Sequence, residues 1–139
     1  MRKIYETQDD RVRQDEVRQY LEGIWNCVYV QAPTLSHIDG MLYNQDQTTL
    51  QALVEIKTRR NASNKYPTYM LSANKWRAVV ELSKYHSVPF LLIVKFTDGM
   101  YAAKLKDDYP VHQGGRYDRG DAMDVENCIY IPMKEFKKI

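Results

Sequence analysis

The chain has 139 residues, 44 % of them hydrophobic and 27 % charged, which fits one domain over residues 1–139 that buries roughly two thirds of its unfolded surface. Its 20 basic and 18 acidic residues leave a formal charge of +2, which excludes a histone-like polycation but leaves room for local basic patches. Cys27 and Cys128 lack metal-type spacing, so they suggest neither a disulfide framework nor a zinc site and read as two buried free thiols.

The opening residues run from Met1 straight into charged positions with no apolar signal core, and no stretch is long and apolar enough to span a membrane. The expected setting is therefore soluble and cytoplasmic, with no membrane partner. Thr7 is placed to cap a first helix, with Asp9 and Asp10 in the turn where the helix dipole favours acids. That helix is expected to run to about Glu22 and stop near Gly23, with Val17, Tyr20, Leu21 and Ile24 spaced to face a core. At ~100° per residue, Glu16 lies on the flank of that face, whereas Glu22 points nearly the opposite way.

Three strands follow, at 25–30, at 38–43 and, after the turn-like 44–47, at 49–57. Short connections make them a meander. The polar, basic stretch 58–67 reads as a loop. Ser72 reads as the cap of a second helix that carries Trp76, Val79, Val80 and Leu82 inward and ends near His86, ahead of Pro89. Residues 88–96 hold the most continuous apolar run, which predicts a central strand buried on both faces and reached by a parallel crossover. A hairpin signal at 97–100 leads to a return strand at 101–105. Beyond it, 106–124 reads as a long loop, 127–131 as a last edge strand stopped by Pro132, and 134–139 as a basic tail.

The third strand contains Leu53-Val54-Glu55-Ile56-Lys57, where Glu55 and Lys57 share one face and Val54 and Ile56 the other. Glu-x-Lys alone is weak evidence, because seven glutamates and eleven lysines give roughly half an occurrence by chance. A second copy, Glu135-Phe136-Lys137, sits at what reads as a frayed end. The first is set apart by its apolar strand, by Asp39 on the strand before it and by the basic loop directly after it.

Cutting a phosphodiester requires charge on the phosphoryl oxygens to be offset and hydroxide to be made near neutral pH, and a divalent ion does both. Mg²⁺ takes oxygen ligands, typically one or two carboxylates with water and substrate completing its shell, and Mn²⁺ accepts a similar set. Asp39 and Glu55 are the candidate carboxylates, with the carbonyl of Ile56 as a third ligand. Lys57 is the candidate to orient the attacking water, and Glu16 to complete the site from the first helix, with Asp9 and Asp10 as rivals. The plain alternatives are a solvated cross-strand pair for Glu55 and Lys57, a turn residue for Asp39 and a surface acid for Glu16. His37, His86 and His112 have no partner at nucleophile or metal spacing.

In these residues and in the order of its elements, the chain resembles the PD-(D/E)XK nuclease superfamily across residues 7–96. The resemblance implies the restriction-endonuclease-like fold, an α/β domain with an α-β-β-β-α-β core, a central mixed sheet flanked by helices, and here extra C-terminal strands. It places Asp39 as the acid of the second strand, Glu55 and Lys57 as the (D/E)-x-K motif and Glu16 as the first-helix glutamate, with Ile38 standing where proline is usual. The segment from Pro67 to Trp76 is also similar to small phage-encoded and Holliday-junction-resolvase-like members, in which a lysine near this point approaches the site. Lys75 holds that place, at a helix N-terminus suited to a phosphate. Arg59, Arg60 and Lys65 are candidate contacts to the DNA backbone.

The expected function is a Mg²⁺-dependent DNA endonuclease, and the junction-resolving members imply a homodimer, since two strands need two sites. The alternative is a catalytically inactive nucleic-acid-binding or structural module on the same fold. An RNA-acting enzyme is not separated from either, because nothing identified reads a 2′-hydroxyl.

Overall fold

The computed structural model describes residues 8–115 and 125–139, with side chains over 14–113 and 127–139. The Thr7 cap, the side chains of Asp9 and Asp10, and residues 116–124 of the expected long loop lie outside the described residues.

Helix α1, Gln8–Trp25, continues past Gly23 and ends at Asn26, which takes the left-handed conformation that asparagine tolerates (φ 51°). The strand expected from Trp25 therefore starts at Val28. The apolar stripe of α1 is narrower than its spacing suggests. Val17 and Leu21 are fully buried, but Tyr20 and Ile24 stay about 40 % exposed, with the Tyr20 hydroxyl donating to the Ile139 carbonyl at 2.6 Å.

The meander forms, with β1 (Val28–Gln31), β2 (Gly40–Tyr43) and β3 (Leu50–Thr58) successively antiparallel, but β2 starts at Gly40 instead of Ile38, so Asp39 precedes the strand it was expected to lie on. Ser72 caps α2, Ala73–His86, and Ser87 closes it in the left-handed region. The helix returns the chain to β5, Phe90–Phe96, which pairs parallel to β3 and then antiparallel to β6, Gly99–Lys104.

Four departures from the sequence expectation concern the other strands. Residues Thr68–Ser72, just before the helix, form β4, with Tyr69 and Leu71 inward and Met70 outward. Within the expected long loop, His112–Gly115 form β7. Strand β8, Val125–Pro132, is not an edge but the middle of a three-stranded sheet, β4-β8-β7. The supposed basic tail is a 3-10 turn, Met133–Glu135, and a final strand β9, Phe136–Lys138, which pairs with β6 and closes the main sheet in the order β1-β2-β3-β5-β6-β9. Glu135 is not frayed, since it accepts from the Tyr109 hydroxyl at 2.6 Å and pairs with Lys106 at 3.1 Å.

The main sheet is covered on both faces. On one, Val17 and Leu21 of α1 pack on Tyr29, Leu42, Val54, Ile56 and Ile93. On the other, Trp76 and Val79 of α2 and Ile129 and Ile131 of the small sheet pack on Leu53, Leu92 and Val94. Strand β3 alternates between these two cores and so is buried from Ala52 to Ile56. Both cysteines are free and buried, as expected, and burial raises the Cys27 thiol pKa. Among the described residues, no helix is long and apolar enough to cross a membrane.

Candidate active site

The alternation that sends Val54 and Ile56 towards α1 turns Glu55 towards α2, where its carboxylate is 1 % exposed. A lone carboxylate at that depth would be strongly disfavoured unless paired. Two ammonium groups pair with it: Lys57 reaches Oε2 at 3.2 Å from the same strand, and Lys75 reaches Oε1 at 3.1 Å from α2. Lys75 is aimed by the helix start, because the Ser72 hydroxyl accepts its backbone N–H and its ammonium also donates to the carbonyl of His37. Lys57 keeps 26 % exposure against 10 % for Lys75, so it is the lysine with more access to water.

Asp39 is the second buried acid, at 3 % exposure. The main chain twists there: its N–H donates to Val54 on β3 at 3.0 Å, while its carbonyl accepts from Ala32 beyond β1 at 2.9 Å. The regular β2–β3 ladder ends at the Gly40–Val54 pair. Past that point the Asp39 carboxylate replaces a main-chain acceptor, taking the Ile56 N–H at 2.7 Å. Because N–H and C=O of one strand residue point the same way, the Ile56 carbonyl is directed to the side occupied by the Asp39 carboxylate.

Tyr29 lies beneath this junction. A Cβ on Gly40 would come within 2.3 Å of the Tyr29 ring and 2.4 Å of its hydroxyl, so glycine after Asp39 is required for the ring to lie there. Burial raises the Tyr29 pKa, and the charges of Asp39 and Glu55 raise it further, with Arg18 opposing and Asp15 adding. One buried phenol thus senses both acids. Glu16, by contrast, is brought to Lys95 at 3.5 Å on the α1 side of the sheet, with 59 % of its side chain exposed. The α1 acid in contact with Tyr29 is Glu22, which was expected to point away from that face but accepts the Tyr29 N–H at 2.9 Å.

The loop after β3 is basic and held in place. The N–H and hydroxyl of Ser63 donate to Asp98 at 2.9 and 2.6 Å, which holds the Asp98 carboxyl below its ordinary pKa. Arg59 stacks its guanidinium 5.0 Å from the centre of the Tyr69 ring, and Lys65 lies 5.5 Å from that of Tyr66. Arg60 is exposed. Burial pushes the Tyr69 hydroxyl up to about 12, with Arg59 opposing and the Glu55 charge adding to the shift.

Of the residues singled out by sequence, Glu55, Lys57 and Lys75 are in direct contact and Asp39 sits beside them on the Ile56 amide. Glu16, Arg59, Arg60 and Lys65 lie outside that contact. Tyr29, Tyr69 and Asp15 were not singled out. The available signal was Asp39-Gly40, since a glycine next to a candidate ligand asks what ring or backbone comes close. Among the described residues, no three His, Cys, Asp or Glu side chains form a metal cluster. A cation here would rest on Asp39, Glu55 and main-chain oxygen, an all-oxygen set suited to a hard divalent ion and unlike a zinc site.

A mixed sheet between helices, with an acid where β2 begins and Glu-x-Lys on β3, is the arrangement of the PD-(D/E)XK nucleases. The particular family is given by a family model described as "phage putative PDDEXK endonuclease", which matches residues 1–139, and the chain belongs to that family. Among solved structures, the chain is similar to Hjc, a Holliday junction resolvase of the archaeal hyperthermophile Archaeoglobus fulgidus. The TM-score is 0.57 at 13 % identity, covering 88 % of each chain, a likeness of fold. A search of curated protein sequences finds no match.

Proposed function

We propose that the protein is a divalent-metal-dependent DNA endonuclease that hydrolyses phosphodiester bonds at Asp39, Glu55 and Lys57. The observation that carries this reading is the buried Glu55 carboxylate with an ammonium on each oxygen, at 3.2 and 3.1 Å, beside the buried Asp39. Replacing such buried charges by apolar groups of similar shape is often neutral or stabilising. A purely structural module has no use for them, which favours the enzyme over the inactive alternative.

The donor set fits Mg²⁺, with Mn²⁺ able to replace it: Asp39, Glu55 and the Ile56 carbonyl would hold the ion, and Glu16 of α1 would add an outer carboxylate on leaving Lys95. When bound, the ion supplies Lewis acidity towards the phosphoryl oxygen and lowers the pKa of water. The protein's own groups do the rest. The Ile56 amide fixes the Asp39 carboxylate through its hydrogen bond. Lys57, on the strand and open to solvent, orients the attacking water and offsets charge in the transition state. Lys75, at the start of α2, sets the Glu55 rotamer and adds positive charge where a phosphate would approach a helix N-terminus. Arg59, Arg60 and Lys65 bind the DNA backbone without reading sequence. Cutting both strands of a duplex or junction calls for two copies, so the active assembly is a homodimer.

Purified protein incubated with linear duplex, flap and four-way junction DNA is expected to nick or cut with Mg²⁺ or Mn²⁺ and to stop on chelation. Light scattering is expected to give twice the chain mass. Every DNA left intact in both metals would sink the proposal.

A further inference from the structure

A groove of about 420 Å³ opens where the loop after β3 meets the outer face of the small sheet. That volume lies in the ~300–1,000 Å³ range of pockets that take small ligands. Its walls are apolar and aromatic, including Tyr66, Met70, Tyr130 and Met133, and among the described residues no acid lines it. Three of them are unusually open for their type: Tyr66 at 56 %, Met70 at 49 % and Tyr130 at 37 %. Met70 and Tyr130 are direct partners across β4 and β8, so they stand together on one face. Grouped, exposed apolar side chains of this kind mark a surface that meets something.

The loop beside it supplies cations. Arg59 lines the groove, Lys65 lies 5.5 Å from the centre of the Tyr66 ring, and Arg60 belongs to the same loop. Arg59 follows Lys57 by two positions, roughly 7 Å along an extended strand. The buried Tyr69 ring, on which Arg59 stacks at 5.0 Å, also lines the groove. The segment leaving β3 therefore leads from Lys57 directly to the groove.

We propose that this groove seats an unpaired nucleobase of the DNA strand being cut, stacked on Tyr66 and Tyr130, with the adjoining phosphates on Arg59 and Lys65. The proposal rests on the reading of the protein as an enzyme acting on DNA, and it narrows the substrate to DNA with an unpaired segment at the cleavage site. An aromatic floor beside a cationic loop matches a base attached to phosphates and sugar. A fully paired duplex keeps its bases stacked inside and presents no base face to such a floor. An apolar peptide would fill the floor but leave the guanidinium and ammonium groups unmatched.

The test is fluorescence anisotropy of the full chain in chelator, so that binding is read without cleavage. Three DNAs are compared: a blunt duplex, the same duplex with a short single-stranded tail, and that tail made of abasic residues. The wild-type protein is expected to prefer the base-bearing tail over the abasic tail by roughly 5- to 150-fold, the range for one stacked base. Tyr66→Ala and Tyr130→Ala are expected to bring that ratio towards one while leaving blunt-duplex affinity unchanged, and Tyr66→Phe is expected to keep it. Equal wild-type affinity for the two tails, or a ratio that survives in both alanine variants, would overturn the proposal. Cleavage of the base-tailed duplex and of a four-way junction in Mg²⁺ reports the nuclease reading separately. Cutting without base preference rejects the groove alone, and a base preference without cutting rejects the nuclease alone.

Discussion

At the scale of single residues, the site is defined by how buried charge is compensated. Glu55 has one ammonium per oxygen, and the two lysines differ in depth, 26 % exposed for Lys57 and 10 % for Lys75. Removing one partner of an isolated buried pair costs about 3–5 kcal/mol. Because Glu55 retains a second lysine, Lys75→Met is expected to cost less, about 2 kcal/mol by urea denaturation, and Lys57→Met less again because water already reaches it. Asp39 has two roles that substitution can separate. Asparagine keeps an oxygen for the Ile56 N–H but removes the charge, so Asp39→Asn is expected to stay within about 1 kcal/mol of wild type while losing metal binding in a calorimetric titration. Asp39→Ala leaves that buried N–H without its acceptor and is expected to cost about 1–3 kcal/mol.

At the scale of elements, the α-β-β-β-α-β order was legible because each piece carried its own period or cap. The 3.6-residue stripe marked α1, Ser72 marked the start of α2, and the apolar run marked β5. The same periodicity placed Glu55 and Lys57 on one face of β3. What local pattern did not carry was pairing at a distance. Strand β4 is five residues between a loop and a helix cap, and it becomes a strand because Met70 meets Tyr130, sixty positions later. Strand β9 looked like a tail because it is rich in lysine, yet lysine is what a protected edge strand displays. Phe136 makes it integral, being 7 % exposed and 5.8 Å from the Tyr69 ring. Phe136→Ala is expected to cost about 3 kcal/mol in thermal or urea unfolding, whereas a free tail would show no change. Gly40→Ala drives a methyl into the buried Tyr29 ring, and a loss of about 1–3 kcal/mol is expected by the same measurement.

At the scale of the whole molecule, three layers converge on the beginning of β2, where the sheet stops pairing and the start of α2 comes within reach of β3. The carboxylates and Lys57 were legible because strand parity and neighbouring strands suffice to bring them together. Lys75 was legible only through the family resemblance and its contact with Glu55 depends on how α2 seats on the sheet, while the Tyr29 ring beneath Gly40 depends on the β1–β2 register. A cation bound only by the folded form should stabilise the whole domain, by about 2.7 kcal/mol at a hundredfold excess over Kd. Mg²⁺ or Mn²⁺ is therefore expected to raise Tm by several degrees in wild type and to leave Asp39→Asn unmoved.

The assignment of the site turns on strand scission itself. The rate of cleavage of plasmid DNA at saturating Mg²⁺ is to be measured for wild type, Asp39→Asn, Glu55→Gln and Lys57→Ala, with folding checked for each. A loss of about a hundredfold or more in all three variants is the predicted result. Cleavage by Glu55→Gln and Lys57→Ala at the wild-type rate would contradict it.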